Sequence, residues 1–187
     1  MPSMDARESP WGPGEGRPPI RDVPPGASDP VDYIARTREA YDALGYEPYR
    51  WVVSDDPPPF VEVDKPIGEW RVGMIGSGGI YQQGQLAYHF RDDASFRSIP
   101  VDAAADSLRA THFAYDLADA RRDPNAVFPL ERLRELASEQ VIGGLTDVHA
   151  SFVGGLYSVR KCRDELAPAL VELMRDQQAD VVLLVPV

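Results

Sequence analysis

The sequence holds a single cysteine, Cys162, among its 187 residues. An intrachain disulfide is therefore excluded, and no cysteine-based zinc cage can form from this chain alone. Cys162 sits in Tyr157-Ser158-Val159-Arg160-Lys161-Cys162-Arg163, where cations would favour a thiolate if the side chain were exposed. A half-buried cysteine at a helix entry is the simpler expectation, and Cys162 is not taken as a nucleophile. Long apolar runs are missing too: no stretch of about 18 such residues exists, so no membrane span is expected. No apolar segment follows a basic start, so no secretory signal is expected and a cytoplasmic location is the default. Cations are in short supply, with 19 Lys and Arg against 30 Asp and Glu and a formal net charge of -11. A polyanion would be repelled by that excess, and Arg121-Arg122 and Arg160-Lys161-Arg163 are too short to offset it. Nucleic acid and membrane are thus excluded as partners.

What is present is the composition of an ordinary globular domain, 43% hydrophobic and 26% charged. The residues are unevenly spread. Positions 1–29 read as a Pro/Gly-rich arm, disordered or extended, because such a segment cannot bury enough apolar surface to offset its ordering entropy. A single α/β domain is expected over 30–187. Asp29 and Pro30 suit the start of a helix carrying Tyr33, Ile34, Tyr41 and Leu44, with Gly45 as its stop. Pro57-Pro58-Pro59 cannot lie inside a sheet. Trp70 to Ile75 reads as a buried strand running into the turn Gly76-Ser77-Gly78-Gly79. Ser107 to Ala120 fits a helix, although Thr111-His112-Phe113 also fits a strand. Leu130, Leu133, Leu136 and Ala137 recur at helical spacing, and Ile142-Gly143-Gly144-Leu145 turns the chain. A last helix is expected from Arg163 to Gln178. The run Val181 to Val187 after it reads as a strand buried on both faces of a parallel sheet. An α/β layered fold with a mostly parallel sheet follows, half of a doubly wound, Rossmann-like arrangement completed by another chain or a further C-terminal part.

Several groups invite chemistry. The glycine turn could present backbone N–H groups to a carboxylate, but Tyr81 stands where a dinucleotide fingerprint needs its third glycine. Arg97, among Phe96, Ile99 and Pro100, could clamp a carboxylate through two parallel hydrogen bonds or serve a structural ion pair. His112, Tyr115 and Asp116 would share one face of a helix, placing a general base beside a carboxylate. Adding His89 and His149 makes a three-histidine metal site conceivable, yet their spacing matches no ligand motif. No metal is expected.

Six phrases, in order, resemble the B components of glycine, sarcosine, betaine and D-proline reductases. They are Gly78-Gly79-Ile80-Tyr81; Ser95-Phe96-Arg97-Ser98-Ile99-Pro100; His112 with Tyr115-Asp116; Asp123-Pro124-Asn125-Ala126-Val127-Phe128-Pro129-Leu130-Glu131-Arg132-Leu133; Ile142-Gly143; and Ser151-Phe152. The resemblance covers about residues 64 to 187. It implies reductive cleavage of a C–N bond in a small amine-bearing acid by a thiol or selenol, with a pyruvoyl-bearing subunit assisting in the best-known members. Within that picture His112, Asp116 and Tyr115 become candidate catalytic groups, and Arg97, Gly78, Gly79, Tyr81, Asn125 and Ser151 candidate substrate contacts. The short Cys/selenocysteine motif that relatives carry after a strand like Asp180 to Val187 is not found here. The redox centre is therefore expected on a partner or a missing segment, with no cofactor in this chain. A catalytic partner subunit is expected to dock through Val181 to Val187 and the N-terminal arm. Two alternatives stand beside this reading: a non-catalytic α/β interaction subunit that orders a catalytic partner, and a histidine-based metal-dependent enzyme.

Overall fold

The computed structural model describes residues 33–47, 55, 57, 58 and 61–187. The chain divides into two compact units, Met1–Pro58 and Pro59–Val187. In the first, helix α1 (Tyr33–Ala43) closes as expected, Gly45 taking φ +77° just beyond it. The arm over 1–29 and the proposed start at Asp29 and Pro30 lie outside the described residues.

After a 3-10 turn over Ile67–Glu69, the second unit lays down β1 (Arg71–Gly76), β2 (Ile80–Gln82), β3 (Phe96–Pro100) and β4 (Leu108–Ala110). Helices α2 (Ala118–Arg122) and α3 (Leu130–Ser138) follow, then β5 (Gly144–Leu145) and β6 (Val148–Phe152). The C-terminal part is α4 (Val159–Lys161), a π-helical turn over Cys162–Leu166, α5 (Ala167–Asp176) and β7 (Val181–Val185). Strand β1 is central. It pairs in parallel with β7 along one side and with β5 and then β6 along the other, while β3 lies antiparallel on β6. The fold is thus α/β with a mixed, mostly parallel sheet. β2 and β4 form a separate antiparallel pair.

Alternation along the strands loads both faces of the sheet. Ala150 of β6 and Val182 of β7 pack with Leu166, Leu170 and Met174 of the long C-terminal helical stretch. The opposite face carries Met74 and Ile99, which meet Phe128, Leu130 and Leu133 from α3 and the turn before it. The Asp123-Pro124-Asn125 phrase starts α3 by a closed polar network. Asp123 accepts from the Asn125 N–H at 2.9 Å, and Asn125 Oδ1 accepts from the Glu131 N–H at 3.0 Å. The Asn125 amide also donates to Glu131 Oε2 at 2.7 Å. Asn125→Ala is expected to cost about 1–2 kcal/mol, the loss of a cap, measured as a fall in the urea midpoint.

Two expectations are corrected. The helix over Ser107 to Ala120 is replaced by β4, an irregular stretch and the five-residue α2. Leu108 and Ala110 alternate inward, and the Thr111 N–H is drawn onto the Gly79 carbonyl at 3.0 Å, so pairing with the neighbouring turn overrides helical spacing. Nor is the terminal strand buried on both faces. β7 is the sheet's edge, with Leu183 38% and Leu184 67% exposed. Its apolar run supplies each core once, through Val182 and Val185, and among the described residues nothing pairs with its outer side.

Candidate functional site

Open α/β sheets bind ligands beyond the carboxyl ends of their parallel strands. Here that edge is formed by Gly76 of β1, Phe152 of β6 and Val185 of β7, and the glycine turn is sewn into it. The Ser77 N–H donates to the Val185 carbonyl at 3.0 Å and the Gly79 N–H to the Phe152 carbonyl at 2.9 Å. The Ser77 hydroxyl accepts from the Val187 N–H at 2.9 Å. Ser151, fully buried, takes the Ile80 N–H on its Oγ at 2.9 Å. Tyr88 donates its phenol to the Ser151 carbonyl at 2.6 Å and lies 3.0 Å from the Ile80 carbonyl; burial pushes that phenol well above its usual pKa.

The glycines of the turn are there for protein neighbours. A Cβ on Gly79, whose φ is +68°, would stand 1.9 Å from the Thr111 carbonyl oxygen. One on Gly78 would meet the Val127 side chain at 3.0 Å and Val187 at 3.4 Å. Tyr115 lays its hydroxyl on the Gly78 carbonyl at 2.8 Å.

His112 closes the arrangement from above. Its Nδ1 lies 3.0 Å from the Ala114 N–H and its Nε2 3.1 Å from the Gly154 N–H. A neutral imidazole can accept at one nitrogen only. The Gly154 N–H already has the Ser77 carbonyl at 2.9 Å, and His112 is itself hydrogen-bonded to the Ser77 backbone. The consistent assignment is therefore an Nε2–H donating to Ser77, with Nδ1 accepting from Ala114. Burial lowers the His112 pKa, and the Ser77 bond offsets part of that. So the neutral ring ties its own loop to the glycine turn, and its ring contacts that of Tyr115 at 4.7 Å.

The structure thus brings together Gly78, Gly79, His112, Tyr115 and Ser151, and keeps the other candidates apart. Asp116 caps the Ala118 N–H at 2.9 Å and is not hydrogen-bonded to His112. Asn125 belongs to the cap of α3. Arg97 donates to the Leu86 carbonyl at 2.6 Å and to Ser95 Oγ at 2.8 Å, its guanidinium 4.4 Å over the Tyr88 ring. Tyr81 meets the other side of that cluster, edge-on to Tyr88 at 6.2 Å. Arg97 also borders an open depression shared with Arg91, Asp93, Lys161 and Glu165, which includes none of the turn residues. His89 and His149 are elsewhere, and among the described residues no three His, Cys, Asp or Glu side chains are grouped to hold a metal ion. Cys162 is exposed. Nor, among the described residues, is any helix long and apolar enough to cross a membrane. Ser77, Tyr88 and Gly154 were missed from sequence. Ser77 lay inside the recognised turn, whereas nothing local marks Tyr88 or Gly154, whose partners Ser151 and Ser77 are far away in sequence.

The family model for glycine/sarcosine/betaine reductase selenoprotein B (GRDB) matches residues 61–186. Among curated proteins, the D-proline reductase subunit gamma of Acetoanaerobium sticklandii is 30% identical over 128 residues, 68% of this chain and 53% of the relative. The glycine reductase complex component B subunit gamma of Symbiobacterium thermophilum is 30% identical over 125 residues, 64% of this chain and 29% of the relative. The sarcosine reductase complex component B subunit beta of Peptoclostridium acidaminophilum is 31% identical over 115 residues, 57% and 25% respectively. The match therefore spans about half of the first relative and less of the others. No solved structure matches the chain significantly. With its parallel strands, glycine turn and buried Ser151 all inside the matched stretch, this chain belongs to the glycine/sarcosine/betaine reductase selenoprotein B family.

Proposed function

We propose that the chain is a subunit of a reductase that cleaves a C–N bond in a small amine-bearing acid, with the carboxyl edge of the sheet as its share of the active site. The observation that carries this reading is the coincidence of the family match, residues 61–186, with an edge where β1, β6 and β7 end together around one glycine turn. In such a cleavage the carbon gains two electrons and the amine leaves. A thiol or selenol supplies those electrons, and we place it on a partner chain or on a segment outside these residues. This chain's own groups hold the edge in shape. His112 and Tyr115 brace the turn through the carbonyls of Ser77 and Gly78, and Ser151 fixes where β2 departs.

The partner is proposed to seat along β7. The strand offers an unpaired apolar edge, free of charge and proline, which is the kind of edge that recruits another strand. Among the described residues Val181–Val185 are paired on one side alone, and Leu184 is left largely in solvent. The N-terminal arm is proposed as a second contact.

The test is reconstitution of the purified chain with the selenocysteine- or cysteine-bearing subunit of the same reductase, using a dithiol as electron donor. Amine release from glycine, sarcosine and betaine, and opening of the D-proline ring to its open-chain amino acid, are then measured. Turnover of one of them by the complex, none by either subunit alone, is expected. Leu184→Lys is expected to weaken complex formation at least tenfold, about 1.4 kcal/mol, because it puts a charge on the edge to be covered. Turnover by this chain alone, or no turnover by any assembled complex, would remove the proposal.

A further inference from the structure

Strand β1 has one continuous partner on its β7 side and an interrupted one on the other. Arg71 and Val72 pair with Gly144 and Leu145, whereas Ile75 and Gly76 pair with Ala150 and Ser151. Three steps along β1, from 72 to 75, are matched by five on the other side, from 145 to 150, so two extra residues are accommodated between β5 and β6. A bulge of this kind breaks the ladder and leaves backbone groups to be satisfied otherwise.

His149 fills the gap. Its Nδ1 takes the Met74 N–H at 3.1 Å, with the Thr146 hydroxyl 3.4 Å away and itself held by the Val148 carbonyl at 2.9 Å. Because Nδ1 accepts, the proton of the neutral ring must reside on Nε2. That nitrogen is buried without a hydrogen-bond partner among the described residues. The ring has no exposed surface at all. Opposite it on β3 stands the apolar Ile99, and the charged group acting on it is Arg134 of α3, a cation anchored on the carbonyls of Val101 and Ala103. A second positive charge on His149 would thus lose its acceptor role, lack a carboxylate and face a fixed guanidinium.

We infer that His149 is an acid-sensitive strut, an imidazole standing in for a main-chain acceptor across the β5–β6 interruption, whose protonation releases β6 and, two residues on, the Ser151 contact at the glycine turn. This goes beyond the proposed reductase role and does not depend on it. Burial, with a smaller contribution from Arg134, lowers the His149 pKa from 6.5 to about 4. The unfolded chain charges this histidine below pH 6.5 while the folded chain keeps it neutral to about 4. The stabilisation is therefore complete above pH 6.5 and is lost as pH falls through that window.

The experiment compares wild type, His149→Asn and His149→Ala by urea unfolding between pH 7.5 and 4. Asparagine can place its Oδ1 where Nδ1 accepts, yet cannot titrate. The wild-type folded-to-unfolded ratio is expected to fall between pH 6.5 and 4 by about two to three orders of magnitude more than that of His149→Asn. The comparison subtracts His112 and the carboxylates, which all three proteins share. His149→Ala should be destabilised at every pH. On the wild type, nitrogen NMR should show an unprotonated Nδ1, and acid should lower the hydrogen-exchange protection of the Ile80 amide together with that of Met74, each measured against its intrinsic exchange rate at the same pH. Equal pH dependence for wild type and His149→Asn, or a protonated Nδ1 at neutral pH, overturns the strut. Lost protection at Met74 with Ile80 still protected overturns its link to the turn.

Discussion

Gly79→Ala is expected to destabilise the Pro59–Val187 unit by about 4 kcal/mol, enough to leave much of it unfolded at ambient temperature. Two costs add. A φ of +68° is unfavourable for any residue with a Cβ, by about 1–2 kcal/mol. The Cβ itself would lie 1.9 Å from the Thr111 oxygen and 2.9 Å from its carbonyl carbon. Those atoms are backbone and cannot swing aside as a side chain could. Relief requires the turn and the Thr111 stretch to separate, which gives up the bond from the Thr111 N–H to the Gly79 carbonyl and strains that from the Gly79 N–H to Phe152. Each buried backbone group left unpaired costs roughly 1–3 kcal/mol. Gly155→Ala is the matched control, since nothing lies within 4 Å of a Cβ there, and its midpoint should barely move. Urea melts with unchanged slope would confirm that the folded state alone is affected. A Gly79→Ala protein as stable as wild type would mean that the turn is not packed as described.

Phe128→Ala should cost about 3–5 kcal/mol, the range for emptying a large aromatic site in a packed core. Phe128 is 1% exposed and lies in the cluster with Met74, Ile80, Ile99 and Leu133. It also has a second, more specific role. A Cβ on Gly76 would approach its Cδ2 to 2.9 Å, so this ring sits directly on the last residue of β1 and holds the turn from beneath. The two positions should therefore couple. Gly76→Ala is expected to be clearly destabilising alone and nearly neutral when Phe128 is already alanine, a coupling within the roughly 0.5–3 kcal/mol that contacting residues show. Thermal unfolding of the four proteins of this cycle measures it. Strict additivity would show that the ring and the strand end do not touch.

Legibility followed the range of the interactions. β1, α3 and the C-terminal helix announced themselves because each depends on its own periodicity and bounding glycines or prolines. β3 and β6 did not. Phe96 to Pro100 mixes an arginine and a serine with apolar residues, and Val148 to Phe152 carries a histidine and a serine that face inward. Those polar groups are buried because distant backbone donors meet them, Met74 at His149 and Ile80 at Ser151, and no local pattern signals such a pairing. The helical face expected to join Asp116 to His112 and Tyr115 is absent for the same reason. That face assumed a helix, whereas a backbone bond to the turn holds that stretch irregular and sends Asp116 to cap α2.

Family membership, the α/β class, the parallel pairing of the terminal strand and the glycine turn were determined by the residues alone, because each rests on short-range sterics or on phrases carried intact in the chain. Only the folded structure decided which candidates meet. It gathered His112, Tyr115 and Ser151 at the carboxyl edge, set Asn125 against the start of α3 and Arg97 against a loop carbonyl, and showed β7 as an open edge among the described residues. Those outcomes turn on which backbone N–H and carbonyl groups are left unpaired once the strands align, and that is a property of the assembled sheet.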